Sequence, residues 1–228
     1  MPRRNSTGFG GLIFHALNRG VRRLRLFDHD GDYASFIRCL AEAQVRVRVE
    51  IFAFCLMPNH FHLILRPQKD PDLAEFMRLA TVTHSKRWHQ YRGSSGTGAV
   101  YQGRYKAFPI QTDRYFLAAC RYVEANPVRA KLVDNAADWR WSSFAEGRKN
   151  CHILKLSPWP ILPPSNWADV VNAHADSEEL RKSVRRSIPL GETEWALTTA
   201  RRLQLDRGLR RPGRPAKVKT QTTPGVIS

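Results

Sequence analysis

Two prolines bracket the stretch that most restricts what this chain can fold into: Pro58-Asn59-His60-Phe61-His62-Leu63-Ile64-Leu65-Arg66-Pro67. The run is short and rich in large apolar residues, so it reads as a strand. Strand side chains alternate between faces. Phe61, Leu63 and Leu65 then point into a core, while His60 and His62 share the opposite face. The preceding residues, Val45 to Met57, are β-branched and aromatic and read as another strand. Pro58-Asn59 makes the tight turn between the two. The pair is a hairpin, with two imidazoles one strand step apart at the start of its second strand. Such a pair can grip one divalent metal, or it can simply be the polar face of a strand. Spacing alone leaves both open.

The hairpin has to sit in a larger sheet. Leu12 to Leu17 is a further strand, closed by the turn signal Asn18-Arg19-Gly20. Asp28 and Asp30 offer N-caps for a helix whose Tyr33, Phe36, Ile37, Leu40 and Ala41 repeat on one face. After the hairpin, Asp70-Pro71-Asp72 opens a second helix that carries Leu73, Phe76, Met77, Ala80, His84, Trp88 and Tyr91 at helical spacing. His84 and His89 do not pair by spacing and read as surface or core-edge residues. Gly93 to Gly98 is a flexible loop. Val100 to Gln111 is a fourth strand, and Thr112-Asp113 caps a third helix with Phe116, Leu117, Cys120 and Val123 as its buried stripe. Asn126-Pro127 is expected to end that helix, since a residue before proline is pushed out of helical angles. The first six elements give the α+β ferredoxin-like βαββαβ order, an antiparallel sheet with two helices on one face and the other face open.

Residues 1–148 form one expected domain, and residues 149–228 a Pro-rich linker and basic helical extension. In that extension, Pro158, Pro160, Pro163 and Pro164 mark a linker or strap. Helices are expected from Ser177 to Ile188 and from Glu192 to Leu205. The tail from Arg207 to Lys219 is basic, lacks apolar periodicity and is expected to be disordered when free.

Charge points to the partner. With 37 Lys and Arg against 20 Asp and Glu in 228 residues, the net charge is +17. An excess of that size predicts a polyanion, nucleic acid before an anionic membrane surface. No run approaches the ~18 apolar residues of a spanning helix, and the N-terminus lacks the apolar segment of a secretory signal. Cys39, Cys55, Cys120 and Cys151 form no Cys-x-x-Cys pair. Three of them fall in apolar periodic segments as core thiols, which suits a reducing cytoplasm.

A metal held by two histidines needs another ligand and a reactive group nearby. The third helix supplies candidates. Tyr122 and Asn126 are four residues apart and share a face. A tyrosine hydroxyl can act as a covalent nucleophile, and an asparagine oxygen can ligate a hard cation. Glu124 is the rival ligand, but it points about 160° from Asn126 on an ideal helix. Tyr115, seven residues before Tyr122, shares its face. Spacing does not choose between the two tyrosines.

Four motifs occur in order: Met57-Pro58-Asn59-His60-Phe61-His62, Tyr101-Gln102-Gly103-Arg104-Tyr105-Lys106, Cys120-Arg121-Tyr122-Val123-Glu124-Ala125-Asn126-Pro127-Val128-Arg129-Ala130 and Trp139-Arg140-Trp141-Ser142-Ser143. Together, over roughly residues 9 to 145, they resemble the single-tyrosine HUH transposases, and most nearly the REP-associated tyrosine transposases of bacteria. The resemblance implies an HUH endonuclease domain in which His60 and His62 bind Mg²⁺ or Mn²⁺ and Tyr122, not Tyr115, is the nucleophile. Asn126 falls where the family often places its remaining polar ligand. It also implies a single-stranded DNA substrate that forms a REP-type hairpin, cleaved through a 5′-phosphotyrosine. The protein implied is a monomer or homodimer in the bacterial cytoplasm, associated with the nucleoid.

The basic residues expected to follow phosphates are Arg3 and Arg4, Arg19, Arg22 and Arg23, Lys86 and Arg87, Arg92, Arg104 and Lys106. Trp88, Tyr101 and Tyr105 are candidate base-stacking residues, with core packing the competing reading for Trp88. Arg211-Pro212-Gly213-Arg214-Pro215 is similar to the core of AT-hooks and adds a possible minor-groove arm through Arg211 and Arg214. The alternative to an enzyme is a nucleic-acid-binding module on an RRM-like sheet without catalysis. That would want stacking aromatics where this chain has His60 and His62.

Overall fold

The sheet runs in the order β2-β3-β1-β4, every neighbouring pair antiparallel, with β1 Ile13–Arg19, β2 Val49–Met57, β3 His60–Pro67 and β4 Lys106–Ile110. This computed structural model describes residues 10–146, 154–173 and 178–205. β1 sits inside the sheet beside β3, so the histidine strand is flanked on both sides and its register is fixed twice. The ferredoxin-like order expected from the sequence is the order observed.

Helices α1 Asp30–Arg46 and α2 Asp72–Tyr91 cover one face. Phe14 and Ala16 of β1, Phe54 and Leu56 of β2, and Phe61, Leu63 and Leu65 of β3 meet Phe36, Leu40, Phe76 and Met77 there. Each Phe, Leu or Met among them, fully buried, contributes roughly 1.5–3 kcal/mol. A β-bulge between Ile51 and Ala53 inverts the alternation of β2. Val49 and Ile51 face the helices before it, Phe54 and Leu56 after it, and Phe52 and Ala53 both fall on the far side.

The far side is where expectation and structure part. It is not open. Helix α3, Arg114–Glu124, lays Phe116, Ala119, Cys120 and Val123 over Ile13, Ala53, Cys55, Met57, Ile64 and Phe108. α3 starts with the Asp113 carboxylate accepting from the Tyr115 N–H at 2.8 Å, a side-chain cap. A sheet covered on both faces offers no platform for stacking bases, so the RRM-like alternative loses its binding surface.

Other boundaries also moved. α1 continues through Val45 and Arg46, where the sequence pattern predicts strand; Val45 is 89% exposed, so its β-branched side chain marks no buried face. The α1 cap position belongs to His29, with no side-chain cap bond; instead the Asp32 carboxylate accepts from the Asp28 N–H at 2.9 Å. β4 is shorter than the expected strand, and Tyr101 instead bridges to Gly20. Gly20 is required: a Cβ there would meet the Leu24 carbonyl oxygen at 2.2 Å. Pro127 does not end the helical path. After Ala125 a new turn begins, α4 Asn126–Arg129, with proline in its first turn, where a missing N–H costs nothing.

The Trp139-Arg140-Trp141-Ser142-Ser143 motif closes the outer edge of β2. The Leu56 N–H donates to the Trp141 carbonyl at 2.9 Å and the Trp139 indole N–H to the Leu56 carbonyl at 3.0 Å. Ser143 accepts from the Phe54 N–H at 3.1 Å and donates to the Glu124 carboxyl at 2.7 Å, which ties this edge to α3. The short α5, Ser143–Glu146, follows.

The Pro-rich segment lies as a strap: Ser157 donates to the Ile51 carbonyl at 2.8 Å and the Trp159 indole to the Phe52 carbonyl at 2.8 Å. Helix α6, Trp167–Asn172, was not anticipated. α7, Glu178–Arg186, and α8, Thr193–Arg202, match the two helices read in the extension. Leu180 and Leu190 are buried in the α3 core, and Leu190 exchanges backbone bonds with Pro109 of β4 and Gln111 just after it. The basic tail, Cys151, and Arg3, Arg4, Arg211 and Arg214 lie outside the described residues. Among those described, no helix is long and apolar enough to cross a membrane.

Candidate active site

Where β3 begins, His60, His62, Tyr122, Asn126 and Arg129 line one pocket of about 290 Å³. Leu17, Arg19, Met57, Ala130 and Val184 complete its wall. The strand period puts His60 and His62 on the α3 face, their ring centroids 5.0 Å apart. The helix period brings Tyr122 down beside them, 5.8 Å from the His62 ring. Tyr115, equal to Tyr122 by spacing, is not in the pocket; its hydroxyl accepts from Arg114 at 3.3 Å. Tertiary structure therefore separates the two tyrosines.

Both pocket histidines are held neutral. Burial, then the nearby Arg19 and Arg129 charges, pulls His60 down to about 4. Burial, then His15, His60 and the two arginines, pulls His62 well below the usual imidazole range. A neutral imidazole keeps a lone pair for a cation. The Nδ1 atoms are already engaged, His60 with the Asn59 side-chain oxygen at 2.7 Å and His62 with His15 Nε2 at 2.8 Å. The Nε2 atoms remain as the ligating positions, so the pair fits a divalent ion. Among the described residues no cluster of three or more His, Cys, Asp or Glu could hold a metal. Further ligands would have to be an amide, a phenolate or the substrate.

Asn126 is buried and oriented. Its Nδ2 donates to the Tyr122 and Val123 carbonyls at 2.9 and 3.3 Å, and its Oδ1 accepts from Arg129 at 2.5 Å. The Arg129 guanidinium also lies 3.9 Å from the Tyr122 ring centroid, a cation–π contact. Glu124 faces away, as its helical angle requires. Its buried carboxyl accepts from Ser143 and from the Trp167 indole at 2.9 Å, and burial pushes it up to about 7 against those two hydrogen bonds.

Sequence reasoning missed two residues here. His15 is fully buried and was read only as part of a strand. Its signal was parity: in β1 it shares the face of Ile13 and Leu17, and register sets it one step from His62. Arg129 lies past Pro127, beyond the expected end of the helix, and its spacing carries no signal of a role.

The basic residues are dispersed. Arg19 lines the pocket opposite His60 in register. Arg22 and Arg23 are exposed in a turn with left-handed φ of 48° and 63°. Arg104 and Lys106 are exposed, with Lys106 donating to the Arg185 carbonyl at 3.5 Å. Lys86 and Arg87 lie on α2, across the sheet from the pocket, and Arg87 is paired with Glu42 at 2.9 Å. Arg92 is committed to Asp28 and Asp32 at 2.7 and 2.9 Å. Of the three aromatics, Tyr101 is buried on His84 at 2.7 Å, and Trp88 and Tyr105 pack against the α1–α2 core. His84 is itself buried in that layer, not at its edge.

This chain belongs to the IS200-like transposase family, whose model matches residues 9–126, more than half of its 228 residues. Within that class its relatives are REP-associated tyrosine transposases. The one from Escherichia coli K12 is 26% identical over 144 residues, 59% of this chain and 77% of the relative. A Haemophilus influenzae protein assigned provisionally to the same group is 25% identical over 146 residues, 59% of this chain and 80% of that one. A solved REP-associated tyrosine transposase bound to a REP hairpin shares the fold, with a TM-score of 0.52 and 22% identity over 71% of this chain and 94% of that one.

Proposed function

We propose that the protein is a metal-dependent nickase and strand transferase for hairpin-forming single-stranded DNA, with Tyr122 as nucleophile. The observation that carries the reading is the convergence of Tyr122, from α3, with neutral His60 and His62, from β3, in one pocket rimmed by Arg19 and Arg129. The solved neighbour's REP hairpin supports the choice of a hairpin substrate.

His60 and His62, with the Asn126 oxygen as third protein ligand, would hold Mg²⁺ or Mn²⁺, which supplies Lewis-acid stabilisation of charge developing on the scissile phosphate. Tyr122 Oη attacks phosphorus in line, and its proton leaves to solvent. A bond forms between Oη and phosphorus while the bond to the 3′ oxygen breaks, and the departing 3′ oxyanion takes a proton from solvent. The products are a 5′-phosphotyrosine and a free 3′-hydroxyl. The phosphodiester bond energy is conserved in the new ester, so a second 3′-hydroxyl can reverse the step without ATP. Arg19, Arg22, Arg23, Arg104 and Lys106 would follow the backbone near the pocket.

The test uses an end-labelled single-stranded hairpin oligonucleotide with Mn²⁺, followed by a denaturing gel. The expected result is a covalent adduct that EDTA and Tyr122→Phe abolish and Tyr115→Phe leaves in place. An adduct that persists in Tyr122→Phe refutes the assignment.

A further inference from the structure

The Asn126 oxygen has two claimants. The amide is oriented by its two Nδ2 bonds to helix carbonyls, which leaves Oδ1 as the atom available to an incoming group. That atom already receives the Arg129 guanidinium at 2.5 Å, and the same guanidinium covers the Tyr122 ring at 3.9 Å. A divalent cation bound to Oδ1 and a guanidinium hydrogen-bonded to it would repel at close range, within a pocket that already holds Arg19. The protein without DNA thus has a positive charge of its own where the cation's third ligand stands.

We propose that Arg129 is the residue that binds the scissile phosphate, and that without DNA it is parked on Asn126 and Tyr122 in the cation's place. This rests on the tyrosine-nuclease reading of the pocket. A guanidinium offers a planar fork that suits two phosphate oxygens. When a phosphate enters the pocket, Arg129 exchanges its hydrogen bond to the Asn126 oxygen for bonds to non-bridging oxygens, and Asn126 becomes available to the cation. The exchange also uncovers the Tyr122 ring. DNA and cation are therefore coupled: each binds better with the other present, since both are needed to displace and re-house one arginine. A cation alone meets Arg129 and binds weakly.

The test compares wild type, Arg129→Met and Arg129→Lys. Mn²⁺ is titrated by calorimetry with and without a hairpin oligonucleotide, in a Tyr122→Phe background so that no strand is cut. Adduct formation is timed separately with Tyr122 intact. Wild type should gain roughly tenfold or more in Mn²⁺ affinity when DNA is present, within the usual range of such coupling. Arg129→Met should bind Mn²⁺ more tightly than wild type without DNA, lose most of the coupling, and form adduct ~10²–10³-fold more slowly. Arg129→Lys keeps the charge beside Asn126, so its DNA-free Mn²⁺ affinity should stay near wild type while its adduct rate recovers above that of the Met variant. If Arg129→Met is too unstable to titrate, the Lys variant decides: an adduct rate at the full wild-type value refutes the need for the fork. If Arg129→Met folds with unchanged Mn²⁺ affinity and an adduct rate within about threefold of wild type, Arg129 has no such role, whatever Tyr122 does. A wild type that forms no adduct counts against the tyrosine reading and takes this proposal with it.

Discussion

His15 Nε2 lies 2.8 Å from His62 Nδ1, in the buried layer between β1 and α3. The contact leaves His62 one ring nitrogen for the pocket. When His62 Nδ1 donates, its Nε2 carries the lone pair, and His15 must then hold its own proton on Nδ1, a buried atom with no hydrogen-bond partner among the described residues. Such an unpaired group is costly in stability, and its persistence fits a positioning role for His15. Removing the partner that orients a metal-binding histidine costs about 10–100-fold in metal affinity or activity. His15→Phe keeps the ring volume and removes the bond. It should weaken Mn²⁺ binding by about that factor while the melting temperature holds or rises. Unchanged Mn²⁺ affinity by calorimetry would contradict the role.

Glu124 should make the protein less stable in alkali. Its carboxyl titrates at about 7 in the fold against an ordinary 4.5, because burial outweighs its bonds from Ser143 and Trp167. The folded state holds the proton more tightly, so this contribution is complete below pH 4.5 and is lost as pH rises through 7. The loss amounts to about 3 kcal/mol. Glu124→Gln should flatten that dependence, as measured by urea unfolding at pH 5 and pH 8.

His84 acts in the opposite direction. Burial lowers it to about 4 from 6.5, with Asp32 opposing that shift and Arg92 and Arg87 adding to it. The unfolded chain binds the proton first on acidification, so stability is lost as pH falls from 6.5 to about 4, again by about 3 kcal/mol. His84→Gln keeps a partner for the Tyr101 hydroxyl and removes the titration. Its unfolding free energy should fall less steeply over that window, by about 1.4 kcal/mol per pH unit.

Much of the site was legible because it rests on two periodicities. Alternation put His60 and His62 on one face, and the helix repeat put Tyr122 and Asn126 on another. What periodicity does not carry is which faces meet. That α3 covers the sheet is a tertiary fact: it carries Tyr122 into the pocket and leaves Tyr115 outside, while the pairing of β1 with β3 brings His15 to His62. Arg129 was hidden by the rule that a helix stops before proline, a rule that yields when proline opens a fresh turn. Val45 misled in the reverse way: its β-branched side chain suggested a strand, but it lies exposed on the last turns of α1, where propensity has no burial to support it.

The most direct measurement is the identity of the residue that carries the DNA. Trypsin cuts after Arg114, Arg121 and Arg129, so Tyr115 and Tyr122 fall in different peptides, 115–121 and 122–129. The covalent adduct is formed with Mn²⁺, the DNA trimmed by nuclease, and the digest read by mass spectrometry. The 122–129 peptide should carry a nucleotide 5′-phosphate on Tyr122. A nucleotide on the 115–121 peptide, or on none containing tyrosine, would contradict the account.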